Sequence, residues 1–430
     1  MITVVGTGTG AAPAESLAGA ELVVGGRRHL DAAAVPADAE RVVLGPLAPA
    51  LDVIERHHDK GSRVVVLASG DPGFFGIVRV LAERFGPAAL DVRPGVSSVA
   101  AAFARVGVPW DDAVVVSAHG RDLRTAVNVC RARPKVAVLT GPGAGPAELG
   151  AALGGTGEGG RAAAAPSGPV AQFPAPLHRV LLVASALGTR DERVERVTPS
   201  EAAARDWGTA VSVVVCLDER RALGAVRTVA GPAPAPSRWA LEEGEFDHRD
   251  SMITKFEVRA LALARLGPRL GDLVWDVGAG SGSVAVECAR LGAAVVAVER
   301  AADGVERIRA NAAAHGVDVQ VVHGSAPDAL GGLDDPDAVF VGGGGRELPG
   351  IVAACARRAR RSVVVAMAAL DRVPAVRAAL TEAGLDCDGV LLQSSRLAPL
   401  PGDVTRLAAT NPVFLLWGVR NPVYQEGVAQ

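Results

Sequence analysis

The chain has 430 residues, of which 49% are apolar and 21% charged, so it is too long for one ordinary core and too apolar for disorder. Its formal charge of -3, with acids and bases mixed throughout, and its 3% aromatic content argue against a nucleic-acid partner, which needs a basic stripe or stacking rings. Cys130, Cys216, Cys288, Cys355 and Cys387 are scattered without a CxxC pair and read as buried thiols in a reducing compartment. The start, MITVVGTGTG, lacks a basic leader, and no apolar run approaches the roughly 20 residues that span a bilayer. A cytoplasmic protein with no membrane partner is expected.

Along the chain, short β-branched runs alternate with Ala/Leu/Arg-rich segments, the pattern of α/β domains with largely parallel sheets. ITVVG reads as the first strand and runs into VVGTGTGAAP. That loop alone looks like half a dinucleotide cradle, but Pro13 arrives too early for a GxGxxG helix start. RVVVLAS ends in LASGDPGFFGI, a Gly-Asp-Pro turn followed by two aromatics, and Asp-Pro-Gly is also plain turn chemistry. RPGVSSVAAAFARVGVPWDDA reads as strand, turn and helix with paired serines. VVVSA leads into SAHGR, and VAVLT and VLLVAS complete the strands of the first half. Residues 141–176 read as helix plus loops within the first domain. GPAPAPS is stiff and unable to join a sheet, which divides the chain into a domain over 1–230, a Pro-rich linker over 231–240 and a domain over 241–430.

In the second half, LVWDVG, AVVAVE, VQVVHG, AVFVGG, SVVVAMA and VFLLWGV read as strands. The first of them runs into Gly278-Ala279-Gly280-Ser281-Gly282 and then the helical SVAVECARL. Glycines there permit a sharp turn and close approach to a ligand, and the helix start offers unpaired N–H groups. Ser283 stands where a dinucleotide fingerprint has its third glycine. Asp276 lies two residues before the loop and Glu299 about 20 residues beyond Gly278. Two acids so placed suit the ammonium and the ribose hydroxyls of S-adenosylmethionine. Ser325 and Ala326, after the third strand, suit an adenine pocket. Each acid taken singly also reads as a helix cap or surface acid.

The second half resembles the C15-methylating, decarboxylating methyltransferase family of cobalamin biosynthesis. The likeness rests on Thr254-Lys255-Phe256-Glu257-Val258-Arg259, the glycine loop and Gly324-Ser325-Ala326-Pro327, and runs from about residue 245 to the end. It implies a Rossmann-like class I methyltransferase with donor contacts at Thr254, Gly278 to Gly282, Glu299 and Ala326. The first half, over about 1–220, resembles the tetrapyrrole methylase family in its C5-methylating branch. That family has two α/β subdomains, and the resemblance implies donor contacts at Thr9, Ser69, Gly70, Asp71, Phe74, Ser97 and Ser98. Thr9 departs from the family loop, which reads Gly-x-Gly-Pro-Gly. The fusion as a whole resembles the bifunctional, decarboxylating C5,15-methyltransferases.

That resemblance implies S-adenosylmethionine as donor in both domains, a tetrapyrrole (precorrin) substrate methylated at C5 and C15, loss of the C12 acetate carboxyl as carbon dioxide, and self-association. A substrate with many carboxylates calls for cations: His119 and Arg121 in the first domain, Lys255 and Arg259 in the second. No metal and no catalytic general base is assigned, and His248 reads as structural or exposed. A dehydrogenase would need a GxGxxG loop and a catalytic His or Tyr, whereas the single tyrosine is Tyr424 near the end. A base-amino methyltransferase would need an Asn/Asp-Pro-Pro-aromatic segment where VFVGGGGRE stands. The remaining alternative is a methyltransferase for another small molecule whose first domain only binds tetrapyrrole.

Overall fold

The computed structural model describes residues 1–8, 10, 12–154, 178–208, 212–224, 228–231, 239–249 and 253–420. These fall into two compact units. The first gathers Met1–Asp122, Lys135–Gly150 and Arg179–Gly231, and the second Leu123–Pro134, Ala151–His178 and Pro232–Gln430. Most of the Pro-rich spacer, residues 232–238, lies outside the described residues.

The first unit holds two five-stranded sheets. One is wholly parallel: β1 (Ile2–Gly6), β2 (Leu22–Gly25), β3 (Glu40–Val43), β4 (Val64–Ala68) and β5 (Leu90–Arg93) stand in the order β3-β2-β4-β1-β5. β1, β2 and β4 are runs of Val, Ile and Leu because both faces are covered by helices, and their apolar side chains are buried. The other sheet is mixed: β6 (Val114–Ser117), β7 (Lys135–Leu139), β8 (Val180–Ser185), β9 (Arg193–Val197) and β10 (Ser212–Leu217), in the order β6-β7-β10-β8-β9, with only β6 and β7 parallel.

The second unit is built on seven strands. β11 (Leu273–Val277), β12 (Ala294–Glu299), β13 (Gln320–His323), β14 (Ala338–Val341), β15 (Ser362–Met367) and β16 (Asp386–Leu392) are followed by a two-stranded hairpin, β17 (Ser395–Leu400) and β18 (Val404–Ala409), and by β19 (Val413–Val419). The sheet order is β13-β12-β11-β14-β15-β19-β16, parallel except for β19, which runs against both neighbours. The strand order reverses between β11 and β14, so a crevice opens outside their carboxyl ends. The helix Leu123–Ala132 belongs to this unit: Asn128 donates to the Gly271 carbonyl at 3.0 Å and Arg124 pairs with Asp337 at 2.8 Å. Among the described residues no helix is long and apolar enough to cross a membrane.

What positions the first site is a backbone-to-backbone approach at the carboxyl edge of β4, β1 and β5. A Cβ on Gly6 would lie 2.4 Å from the Gly70 carbonyl and 2.4 Å from the Gly95 nitrogen, and one on Gly95 would lie 2.5 Å from the Gly8 nitrogen. The three loops after these strands are therefore locked together through atoms that any side chain would displace. Gly95→Ala should lower the unfolding midpoint of the first unit, with a cost of at least about 2 kcal/mol in urea melts of the full chain. An unchanged midpoint would contradict this contact.

Candidate functional site

In the second unit the glycine loop leaves β11 and enters the helix Ser283–Arg290. Gly278, Gly280 and Gly282 all have positive φ, near 71°, 58° and 71°. A Cβ at Gly278 would come within 3.1 Å of Gly343, in the loop after β14, so two loops close on each other at the switch point. Beneath them is a cavity of about 490 Å³, within the range of small-molecule sites. Thr254, Lys255, Asp276, Gly278, Ala279, Gly280, Ser281 and Glu299 all open onto it. A neighbouring cavity of about 210 Å³ shares Gly278 and Glu299 and takes Ser325 and Ala326. The sequence had singled out all of these residues.

The two acids are held differently. Asp276 is 1% exposed. Its Oδ2 accepts from the Ala285 amide at 2.9 Å, while Oδ1 is buried without a partner. Desolvation lifts this carboxyl to about 7 despite the amide, and Glu299 adds to the rise. Glu299 is fixed through both oxygens, by the amides of Gly280 and Ala301, each at 2.9 Å. Gly304 makes room for it, since a Cβ there would meet Glu299 Cγ at 2.8 Å. An unpartnered buried carboxylate oxygen facing a cavity of ligand size is an acceptor waiting for a cationic donor, and it fits the ammonium of S-adenosylmethionine.

Two expectations need correction. Arg259 is fully buried and does not open onto the cavity. Its guanidinium donates to the carbonyls of Thr254, at 2.6 Å, and Leu241, pairs with Glu287 at 3.4 Å and lies 4.9 Å from the Phe246 ring centre. Glu257, in the same motif, pairs with Arg396 at 2.9 Å. Thus in Thr-Lys-x-Glu-Val-Arg only Thr254 and Lys255 face the cavity as polar groups, and the Glu and Arg hold that segment in place. Gly282 likewise does not line the cavity; it starts the helix, and a Cβ there would touch Ile308 at 3.0 Å. Arg249 and Arg307 open onto the cavity and were passed over in the sequence, where nothing distinguishes them from surface cations.

In the first unit Thr9 lies outside the described residues. Gly70 pairs with Gly8 in an isolated bridge, and a Cβ on it would approach Ser97 Cα and Ser98 N at 3.3 Å. Ser69, Gly70, Asp71, Ser97 and Ser98 therefore come together. Ser97 caps the helix Ser98–Val106 by accepting from the Ala100 amide at 3.1 Å, and Asp71 accepts from the Gly73 amide at 2.8 Å in a turn. Phe74 stands edge-on to Phe75 with centroids 5.0 Å apart, both exposed, and Phe75 has φ 54°, a strained value for an aromatic residue. Arg121 lies 5.8 Å above the Phe75 ring, which brings SAHGR to the Gly-Asp-Pro turn. His119 Nδ1 lies 3.3 Å from the Thr140 carbonyl. Arg28 and His29 touch Ser69 and were not expected, because the short strand before GGRRHL was itself not read from the sequence.

Comparison with known proteins fits this geometry. The model of the tetrapyrrole (corrin/porphyrin) methylases matches residues 1–203, and the precorrin methyltransferase domain matches residues 245–420. A precorrin-6Y C(5,15)-methyltransferase (decarboxylating) of a Sinorhizobium species is 38% identical over 77% of this chain and 74% of its own. A probable cobalt-precorrin-6B C(15)-methyltransferase (decarboxylating) of Pyrobaculum calidifontis is 38% identical over 38% of this chain and 87% of its own. A cobalt-precorrin-7 C(5)-methyltransferase of Salmonella typhimurium is 33% identical over 51% of this chain and all of its own. The class is thus a tetrapyrrole methylase fused to a class I methyltransferase. The chain belongs to the precorrin-6Y C(5,15)-methyltransferase (decarboxylating) family.

Two predictions follow from the second unit. In the wild-type chain, affinity for S-adenosylhomocysteine at this site should weaken as pH falls below about 7, because Asp276 takes up a proton. Its raised value also means that the folded chain retains a proton the unfolded chain has lost, so the empty unit loses stability as pH rises from 3.8 to about 7. Asp276→Asn should remove both pH effects, weaken the ligand about tenfold or more and stabilise the empty chain at pH 8. Calorimetry and thermal melts across pH check this, and a pH-independent wild-type affinity would contradict it. Separately, Arg259→Ala should cost about 2–4 kcal/mol in urea melts by emptying a buried site and leaving the Thr254 and Leu241 carbonyls without their donor, Glu287 keeping Arg290, whereas Lys255→Ala should cost no more than about 1 kcal/mol.

Proposed function

We propose that the chain methylates one precorrin at C5 and at C15 and decarboxylates its C12 acetate, a reaction of cobalamin biosynthesis, with S-adenosylmethionine as donor in both units. The first unit is assigned C5 and the second C15 and the decarboxylation. The observation that carries the reading is the unpartnered Asp276 oxygen over a cavity formed at the β11/β14 switch point. The likeness to relatives that carry out one or the other methylation supports the division of labour.

When bound, the donor supplies an electrophilic methyl group. The protein's task is placement, which converts a bimolecular displacement into an aligned one. In the second unit Asp276 accepts from the donor's ammonium, Glu299 from its ribose hydroxyls, and Ser325 and Ala326 flank its adenine. Lys255 and Arg249, on the same cavity, face a substrate dense in carboxylates. In the first unit the backbone of Gly8, Gly70 and the Ser97–Ser98 turn cradles the donor, and Phe74, Phe75 and Arg121 offer an apolar face and a cation to the macrocycle.

Incubation of the full chain with precorrin substrate and labelled donor should yield a product with two new methyl groups and one carboxyl fewer. Lys255→Ala should raise the KM of the C15 step about tenfold and leave the C5 step unchanged. A product methylated at neither carbon, with turnover of another small molecule, would contradict the proposal.

A further inference from the structure

Around Ser69, itself an expected donor contact, the first unit carries a connected polar group whose Arg28 and His29 have no role in the donor site described above. Arg28 and His29 open the helix Arg27–Ala32 directly after β2, on the same carboxyl edge as the loops after β1 and β4. Arg28 Nη2 donates to Ser69 Oγ at 2.6 Å, and Arg28 Nε donates to His29 Nε2 at 3.3 Å. A guanidinium has no lone pair to offer, so His29 Nε2 is the acceptor and carries no proton. The ring proton is then on Nδ1, which faces Thr7 Oγ1 at 3.4 Å, and that hydroxyl donates in turn to the Ala68 carbonyl at 3.2 Å. Ser69 Oγ, 2.8 Å from Nε2, therefore donates its hydrogen to the imidazole. Burial, reinforced by Arg28, the charged group facing the ring, holds His29 below its ordinary 6.5 and so neutral at pH 7. The result is an exposed hydroxyl backed by a neutral base, beside Gly70.

The two methylations discharge the sulfonium's positive charge differently. At C15 a carboxylate leaves as carbon dioxide, and its electron pair returns to the macrocycle. Charge closes there with no net proton released, because the former acetate methylene takes up a proton as C15–H gives one up, and no described histidine lines either cavity of the second unit. At C5 nothing leaves as an anion's remnant. A carbon–carbon bond forms as the carbon–sulfur bond breaks, the thioether departs neutral, and the C5–H bond must surrender its proton while its electrons rejoin the conjugated system. We propose that Ser69 and His29 take that proton: Ser69 Oγ accepts it as its own hydrogen passes to His29 Nε2, and the imidazolium, oriented by Thr7, releases it to water. This rests on the assignment of C5 methylation to the first unit.

The test follows both methylations in the full chain. His29→Gln keeps a hydrogen-bond partner for Ser69 and cannot take a proton. It should lower kcat for C5 methylation about 100-fold, while the C15-methylated, decarboxylated product accumulates and S-adenosylhomocysteine binds as before. At saturating donor the wild-type C5 rate should fall at acid pH, a limb missing from His29→Gln. Ser69→Ala should reproduce the loss and Ser69→Thr restore most of it. NMR of histidine-labelled protein should find His29 as the Nδ1–H form, titrating below 6.5. An unchanged C5 rate and pH profile in His29→Gln would overturn the relay, as would a parallel loss of ligand affinity, which would make the group a binding element. Absence of C5 product from the wild-type chain would sink the parent assignment and the relay together.

Discussion

Each unit depends on one steric constraint: at the carboxyl edge of its sheet, backbone must touch backbone. Gly6 and Gly95 meet the loop of Gly70 in the first unit, and Gly278 meets Gly343 in the second, at separations that leave no room for a Cβ or almost none. Loops drawn in this way present amide groups and unobstructed turns to a ligand where parallel strands end and their order switches. The side chains that carry chemistry are then few and fixed by the same loops: Ser69 and Asp71 flank Gly70, and Asp276 leads into Gly278. Without the close approach, neither set of residues converges.

The two sites solve different problems with that scaffold. The second surrounds a desolvated carboxylate with apolar strands, so its binding power is large for a cation and its cost is felt when the site is empty. A buried ion pair of Arg259 and Glu287, with Glu243 and Glu257 on Arg396, fixes the segment bearing Thr254 and Lys255. Glu243 resists desolvation because Arg396 holds its carboxyl down to about 2. The first site is more open, with exposed phenylalanines and a histidine–serine–arginine group at its edge. That difference suits the proposed division, with carbon dioxide lost in the second unit and a proton in the first.

Much of this was legible in the sequence because glycine spacing and strand ends are local signals. The strands VVVLA and LVWDV, the two loops and the acids Asp276 and Glu299 all declare themselves by pattern. Arg259 did not, because a motif marks a position without saying which way its side chain points, and this one turns inward to Glu287. Strand β10 and the hairpin of β17 and β18 escaped notice; in the hairpin, Leu397, Leu400, Val404 and Leu407 are exposed and obey no inside–outside alternation. His29 was invisible as a base because its partner Ser69 is 40 residues away in the chain, a juxtaposition created only by β2 pairing with β4.

The central claim is that one chain carries two independent donor sites. The direct measurement is the stoichiometry of S-adenosylhomocysteine bound to the full wild-type chain at pH 8, read by calorimetry beside the Asp276→Asn chain. The account predicts two equivalents per wild-type chain, one of which is weakened by the substitution while the other keeps its affinity. One equivalent on the wild type, or loss of both with Asp276→Asn, would contradict it.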